Sequence, residues 1–290
     1  MFNFLKNKEA KNAGWIIGER VVQTFLSLII GVISARYLGP GNYGALNYTA
    51  SLVTFFSSVA LLGMDGVIIK KMISQPEEEG SYLGGCMLLR LFSSVLCSVA
   101  IVVLVLLLNP DDKTKMILAF LQSLQLIFQS VSILDSWFQR YLKSKYISIC
   151  KIIAFLIMSG YKIILIVFAK SIEWFAFANS LSFLVIAILL FVFYFKNQGK
   201  ALKFNIKLGV DVLKDSYHYI LSGLMVALYS QMDKIMIGKM LSDFDVGLYA
   251  TATAICGMWV FIPTAIINSF RPTILEFRQS GNMKQYSLCV

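Results

Sequence analysis

Residues Tyr82 to Leu108 form the run YLGGCMLLRLFSSVLCSVAIVVLVLLL, in which Arg90 is the one charged residue. A helix rises 1.5 Å per residue, so this run would extend about 40 Å, more than the ~30 Å hydrocarbon core of a bilayer. A charge-poor apolar run of this length is typical of a transmembrane helix. We therefore expect lipid to be the solvent of this part of the chain.

Seven further apolar blocks resemble the first, and the composition agrees with them. Hydrophobic residues make up 58% of the chain and charged residues 14%, and the mean hydropathy is +0.73. Soluble domains carry about 25% charged residues. The sequence predicts an all-α integral membrane protein of about eight transmembrane helices. The predicted spans are Ala13–Tyr37, Gly44–Ile69, Tyr82–Leu108, Met116–Phe138, Ile147–Ala169, Ile172–Phe195, Leu213–Met240 and Val246–Phe270. No small-residue cleavage site follows the first span, so we expect it to stay as a helix rather than act as a signal peptide.

The basic residues between these spans predict the orientation. If the spans alternate, one set of loops carries sixteen Lys and Arg residues and the opposite set carries five. Cytoplasmic loops are enriched in Lys and Arg, so the N-terminus is predicted to lie in the cytoplasm. The net charge of +10 then reflects topology beside anionic membrane lipid and does not indicate nucleic-acid binding.

Metal, cofactor and disulfide sites are not indicated. The five cysteines are mostly inside apolar spans, and no CxxC motif is present. His218 is the single histidine, so neither a zinc site nor a histidine-dependent catalytic triad can be built. No catalytic residue, metal or cofactor is predicted.

A short pattern occurs twice in the chain. The segment Tyr37-Leu38-Gly39-Pro40-Gly41-Asn42-Tyr43-Gly44 joins spans one and two, and Met240-Leu241-Ser242-Asp243-Phe244-Asp245-Val246-Gly247 joins spans seven and eight. Gly44 and Gly247 are 203 positions apart, and at this offset Arg36 also matches Lys239. The repeat predicts a six-helix bundle over residues 1–205 and, over residues 206–290, the first two helices of a second, pseudo-repeated bundle. On this hypothesis residue 290 interrupts the second bundle, and a complete protein would hold about twelve helices.

Polar residues within the first four spans recur at helical intervals. Small polar residues commonly glue membrane helices together, but three glutamines in one span also suit a hydrated cavity. The residues predicted to line such a cavity are Thr24, Ser27, Asn47, Ser51, Thr54, Gln122, Gln125 and Gln129.

Four basic residues within the spans are spread from the predicted cytoplasmic half to the outer half of the bilayer. They are Arg20, Arg90, Lys162 and Lys234. A charge at the centre of a membrane helix costs at least ~2.5–3.5 kcal/mol, so these residues suggest contact with an anion in a hydrated passage. For Arg90 an ion pair with Asp65 is an equal alternative. Lys151 is predicted to extend to the interface.

Several of these motifs together resemble a known family. They are Asn12 to Arg20, Arg36-Tyr37-Leu38-Gly39-Pro40 through Gly44, Leu62-Gly63-Met64-Asp65, Gln231 to Gly238, Val246-Gly247-Leu248-Tyr249 and Ile262-Pro263-Thr264. In order and spacing they resemble bacterial polysaccharide biosynthesis proteins of the oligosaccharide (O-antigen) flippase type. These belong to the multidrug, oligosaccharidyl-lipid and polysaccharide exporter superfamily, whose fold is two six-helix bundles in a V.

The resemblance implies a function. The substrate would be an oligosaccharide linked through pyrophosphate to undecaprenol, moved from the inner to the outer leaflet of the bacterial inner membrane for surface polysaccharide synthesis. Arg20, Arg90, Lys162 and Lys234 would be head-group contacts, and Asp65 and Asp233 gating or ion-coupling residues. A polysaccharide polymerase and a chain-length regulator are further partners that the resemblance raises.

Two other functions stay open at this point. A cation-coupled drug exporter of the same superfamily would favour carboxylates in its cavity, and a non-transporting membrane scaffold would explain an incomplete second bundle. A membrane enzyme is disfavoured, because the predicted outward loops are short and offer little room for a catalytic site.

Overall fold

The computed structural model describes residues 8–257, with side chains from Gly14 onward. These residues form nine α-helices and no strand. The helices are α1 (Lys8–Ala60), α2 (Asp65–Ser74), α3 (Glu79–Leu108), α4 (Lys113–Gln129), α5 (Leu134–Arg140), α6 (Ser144–Val167), α7 (Ile172–Lys196), α8 (Ile206–Met240) and α9 (Asp243–Gly257). The 3₁₀ turn Ser130–Ile133 joins α4 to α5, so together they cover the predicted fourth span.

Within residues 8–257, six helical segments are long and apolar enough to cross a membrane. They are Gly14–Ser74, Pro76–Leu108, Lys113–Arg140, Ser144–Val167, Ile172–Lys196 and Ile206–Met240. The chain is therefore a membrane-embedded helical protein, as predicted. The first segment contains two of the predicted spans, and the predicted eighth span begins with α9 and passes, with Pro263, outside the described residues. The number eight stays a prediction.

Helix α1 is divided by Gly39, whose backbone angles are φ 73° and ψ 164°. Glycine adopts positive φ without a Cβ clash, and the following Pro40 has the fixed φ that suits the first turn of a helix. The two arms, residues 8–38 and 40–60, correspond to α8 and α9, which are separated at Leu241 and Ser242. In both copies the helical path is broken at the same place in the repeated pattern.

The predicted second span, Gly44–Ile69, is wrong in its second half. Helix α1 ends at Ala60, and Leu62 and Gly63 have φ of 55° and 57°. Left-handed residues end a helix because they turn the next peptide away from the helical path. Asp65 therefore begins α2 and does not continue the polar face of the span before it.

Hydrogen bonds near the helix ends define the two ends of the bundle, which we call the Gly39 end and the Trp137 end. At the Gly39 end, the Tyr37 hydroxyl donates to the Lys170 carbonyl at 2.9 Å, and the Lys239 ammonium donates to the Leu108 carbonyl at 2.6 Å. At the opposite Trp137 end, the Lys200 ammonium donates to the Pro76 carbonyl at 2.7 Å. Within the described residues, the predicted lysine-rich loops around Lys143 and Lys200 lie at the Trp137 end.

A buried carboxylate organises the Trp137 end. Glu79 is 1% exposed and accepts hydrogen bonds from the Trp137 indole, the Arg140 guanidinium and, at 2.9 Å, the Tyr141 hydroxyl. Burial, followed by the hydrogen bond to Glu79, raises the pKa of Tyr141 above its ordinary value. These contacts connect the start of α3 to the end of α5.

Candidate functional site

A cavity of about 350 Å³ lies among α1, α4, α6 and α7. Hydroxyl and amide side chains line it together with apolar residues. The polar lining residues are Ser27, Ser34, Tyr43, Asn47, Gln125, Ser159, Lys162, Asn179 and Ser182. Small-molecule sites in proteins commonly occupy ~300–1,000 Å³, so this cavity lies at the lower end of that range.

Lys162 is the charged residue of this cavity. Its ammonium group donates to the Asn179 amide oxygen at 3.2 Å. Neither Asp nor Glu is among the residues that line the cavity, and none of the ion pairs formed within residues 14–257 includes Lys162. The lysine therefore gives the cavity a positive charge without a carboxylate partner.

A second groove of about 180 Å³ lies between α1 and α9. Ser27, Gly31 and Tyr43 line both the groove and the cavity. A methyl group added at Gly31 would approach Tyr43 Oη at 3.9 Å, an ordinary contact distance. These three residues therefore form the boundary between the Lys162 cavity and the groove between α1 and α9.

Arg90 is completely buried and belongs to an ion pair. Its guanidinium lies 2.9 Å from the Asp65 carboxylate and 3.4 Å from the Ser132 hydroxyl, and its side chain is 0% exposed. It lines neither the cavity nor the groove. Of the two roles left open by the sequence, the ion pair with Asp65 is the one that this geometry contains.

A neighbouring group of charges includes a residue that the sequence analysis missed. Asp135 on α5 lies 3.5 Å from the Lys151 ammonium, and Glu19 on α1 lies within electrostatic range of both. Lys151 therefore pairs with the Asp135 carboxylate, and its extension to the interface stays a prediction. Asp135 follows Gln125, Gln129 and Ser132 at helical spacing, and this pattern could have identified it.

The other charged candidates lie apart from the cavity. Arg20 on α1 is exposed, whereas its neighbour Glu19 is 7% exposed. Lys234 on α8 is half-buried, and the Asp233 carboxylate accepts a hydrogen bond of 2.6 Å from the Tyr249 hydroxyl on α9. Of the four basic head-group candidates, Lys162 is the one placed at the cavity.

The predicted polar lining divides into several groups. Ser27, Asn47 and Gln125 line the cavity, Thr24 lines the groove, and Gln129 lines a smaller pocket of about 190 Å³ beside Asp135.

The structure places Ser51, Gln122 and Thr54 outside these cavities. Ser51 and Gln122 are 2% and 1% exposed, and they donate to the Asn47 and Leu46 carbonyls at 2.8 and 3.2 Å. Thr54 is exposed, donates to the Ala50 carbonyl and lines none of these cavities. A polar side chain in a membrane helix can satisfy itself on nearby backbone, so polarity alone does not identify a lining residue.

Asn179 is the second residue that sequence reasoning missed. It lies in α7, where most neighbours are apolar, and Ser180 and Ser182 follow it. These three polar residues in an otherwise apolar span are the sequence signal that could have identified Asn179 as a lining residue.

Gly44 and Gly247 are equivalent in the repeated pattern, and at the Gly39 end each packs against the opposite copy of that pattern. A side chain at Gly44 would collide with the Asp243 backbone carbonyl, and one at Gly247 would collide with the Pro40 carbonyl. Pro40 and Asp243 are equivalent at the offset that relates Gly44 to Gly247. The two contacts are therefore reciprocal, as in a contact across a two-fold axis. An ion pair of 2.9 Å between Lys115 and Asp243 lies beside them.

Comparison with known proteins gives one match. The family model described as polysaccharide biosynthesis protein matches residues 10–277. Searches of curated proteins and of solved structures found no match.

Proposed function

Because the chain belongs to the polysaccharide biosynthesis protein family, we propose that it is a flippase for lipid-linked oligosaccharides. The substrate would be an oligosaccharide repeat unit joined through pyrophosphate to undecaprenol. The protein would move it from the inner to the outer leaflet of the bacterial inner membrane, with its own N-terminus in the cytoplasm. It would act as a transporter and not as an enzyme.

The Lys162 cavity carries this proposal. A positive charge without a carboxylate, surrounded by hydroxyl and amide groups, is suited to an anionic and hydroxylated solute. A drug exporter for organic cations would be expected to present carboxylates there, and none is among the lining residues. The cavity also borders the groove between α1 and α9, where a substrate would pass between the two bundles.

The reciprocal contacts suggest how access could alternate. The Gly39 end is the predicted outer side. There the two copies of the repeated pattern contact each other through Gly44, Gly247 and the ion pair Lys115–Asp243. We propose that this arrangement is closed to the outside. Rocking of residues 1–205 against the second copy, which begins at residue 206, would open it, as in other transporters with repeated halves.

In this mechanism the basic residues act in sequence. Arg20 would receive the pyrophosphate from the cytoplasmic side, and Lys162 and Lys234 would attract the anionic substrate farther along the path. Arg90 would serve chiefly by pairing with Asp65. A polymerase and a chain-length regulator would act on the product after translocation.

The experiment is a transport assay with the complete natural protein in liposomes. A fluorescent undecaprenyl-pyrophosphate oligosaccharide placed in one leaflet should become accessible to a membrane-impermeant quencher in the other. Empty liposomes and liposomes with an unrelated membrane protein give the background. Equal rates with and without this protein would overturn the proposal.

A further inference from the structure

We infer that the Lys162 cavity is a side pocket for a single acidic sugar residue of the glycan, a hexuronate or a sugar of similar chemistry. The inference rests on the proposed function and adds the chemical class of the substrate. It assigns to Lys162 the carboxylate of that sugar and not the pyrophosphate.

The charge of the cavity indicates one negative group. Among the described residues that line the cavity, Lys162 is the one Lys or Arg, and its present partner is the neutral Asn179 amide at 3.2 Å. Lys162 is partly buried, and a cation removed from water without a counter-ion is costly, so an anion is favoured beside it. A carboxylate balances one lysine, whereas pyrophosphate carries more charge and is better matched by several cations or by the planar fork of arginine.

The remaining lining residues suit the hydroxyl groups of a sugar. Asn47, Gln125 and Asn179 each offer both a donor and an acceptor, and the serines can do either. A volume of about 350 Å³ is small for an oligosaccharide of several rings but sufficient for one ring. The pocket therefore selects one sugar and leaves the rest of the glycan in the groove.

Entry would take place beside Gly31. This glycine lines both the cavity and the groove, and a methyl group there meets no atom closer than Tyr43 Oη at 3.9 Å. Alanine should therefore leave the entrance open, and tryptophan should fill it.

The test uses two synthetic undecaprenyl-pyrophosphate disaccharides that differ in one ring, glucuronate in one and glucose in the other. The ratio of their transport rates in liposomes is the measured quantity. The protein should transport the glucuronate substrate about tenfold faster or more, the size expected for a hydrogen bond to a charged group. Lys162→Gln should bring the ratio close to one, and Lys162→Arg should keep most of it.

Further variants test the inference even if the Lys162→Gln protein does not fold. Asn179→Asp places a carboxylate next to Lys162 and should also remove the preference, because the added charge neutralises the lysine. Gly31→Trp should reduce the ratio, while Gly31→Ala should not. Lys170→Gln removes the same charge from an exposed position and should leave the ratio unchanged.

The outcomes separate the inference from the proposed function. Transport of both substrates at equal rates, or a preference that survives Lys162→Gln and Asn179→Asp, would overturn the acidic-sugar pocket and leave the flippase proposal intact. An equal loss of both rates in these variants would assign Lys162 to the pyrophosphate or to the fold. Transport of neither substrate by the unmodified protein would overturn the flippase proposal and the inference with it.

Discussion

The Arg90 guanidinium and the Asp65 carboxylate lie 2.9 Å apart, although the arginine side chain is completely buried and the aspartate side chain is 53% exposed. Arg90 comes from α3 and Asp65 from the first turn of α2, directly after the break in the predicted second span. The pair therefore attaches a short helix to the bundle. The buried guanidinium therefore has one charged partner among the described residues, and that partner remains half exposed.

Removal of Asp65 should destabilise the protein. Asp65→Asn leaves a buried guanidinium without a counter-ion, and we expect a loss of roughly 1–3 kcal/mol because the partner is half exposed. Thermal stability of the detergent-solubilised protein measures the effect. Asp65→Asn combined with Arg90→Met should be more stable than Asp65→Asn alone. An additive loss in the double variant would contradict an ion-pair role.

The pair Asp135–Lys151 should behave in a similar way. Lys151→Met leaves Asp135 and Glu19 as neighbouring acids without their base, so we expect a loss of roughly 1–3 kcal/mol. Asp135→Asn added to Lys151→Met should recover part of it, as measured by the same thermal unfolding. Full stability of Lys151→Met would show that the lysine behaves as an interfacial side chain.

The reciprocal glycines should tolerate no side chain. Gly44→Val or Gly247→Val should force α1 and α9 apart at the Gly39 end, since the added atoms would overlap the backbone of the other helix. In a background without native cysteines, Thr251→Cys in the groove should then react faster with a membrane-impermeant thiol reagent added outside.

The matched control for these two glycines is Gly41→Ala. Gly41 is in the same segment, and an added methyl group would meet nothing within 4 Å. Labelling at the unmodified rate is expected for this control. The same labelling rate in Gly44→Val would refute the idea that these contacts close the outer side.

Replacement of Arg20 should stop transport without removing the protein. Arg20→Ala is expected to abolish surface polysaccharide in cells that depend on the complete natural protein, and Arg20→Lys to retain more of it, because charge is preserved. Surface glycan and membrane protein level are measured together. Equal failure of both variants would indicate bidentate phosphate geometry or structural pairing, and unchanged glycan would remove Arg20 from the path.

The Trp137 end should lose stability in alkali. The pKa of Tyr141 is raised in the folded state, so its contribution is fully present below the unfolded value of about 10 and is lost as the pH rises through the folded value. Melting temperatures measured from pH 8 to pH 11 should fall at the upper end. Tyr141→Phe should flatten this fall, and an identical profile in the variant would disprove the assignment.

Much of the fold could be predicted because long apolar runs leave a chain few alternatives to crossing the bilayer. The break after Ala60 was not predicted, since Leu62 and Gly63 lie within an apolar run long enough for one span, although Gly63 is a local signal for a left-handed residue. The polar residues show the same limit. Gln125 reaches the cavity and Gln122 is buried on a backbone carbonyl, although one helical face predicts both.

The asymmetry between the four basic candidates has a similar cause. Lys162 and Arg90 are comparable in sequence, since each is a base with apolar neighbours inside a predicted span. Their surroundings differ because α2 brings Asp65 to Arg90, whereas α7 brings only the amide of Asn179 to Lys162. Which partner arrives depends on helix packing and not on the local pattern.

The reciprocal glycine contacts lie at one end of the bundle, so the two copies of the repeated pattern can rotate about that end. Helix α8 has 35 residues and is therefore about 50 Å long. A tilt of about 10° around Gly44 and Gly247 would move its far end by roughly 9 Å while those glycines stay almost in place. Two backbone contacts without any side chain could thus keep the Gly39 end closed while a small rotation opens the Trp137 end by about the width of a sugar ring.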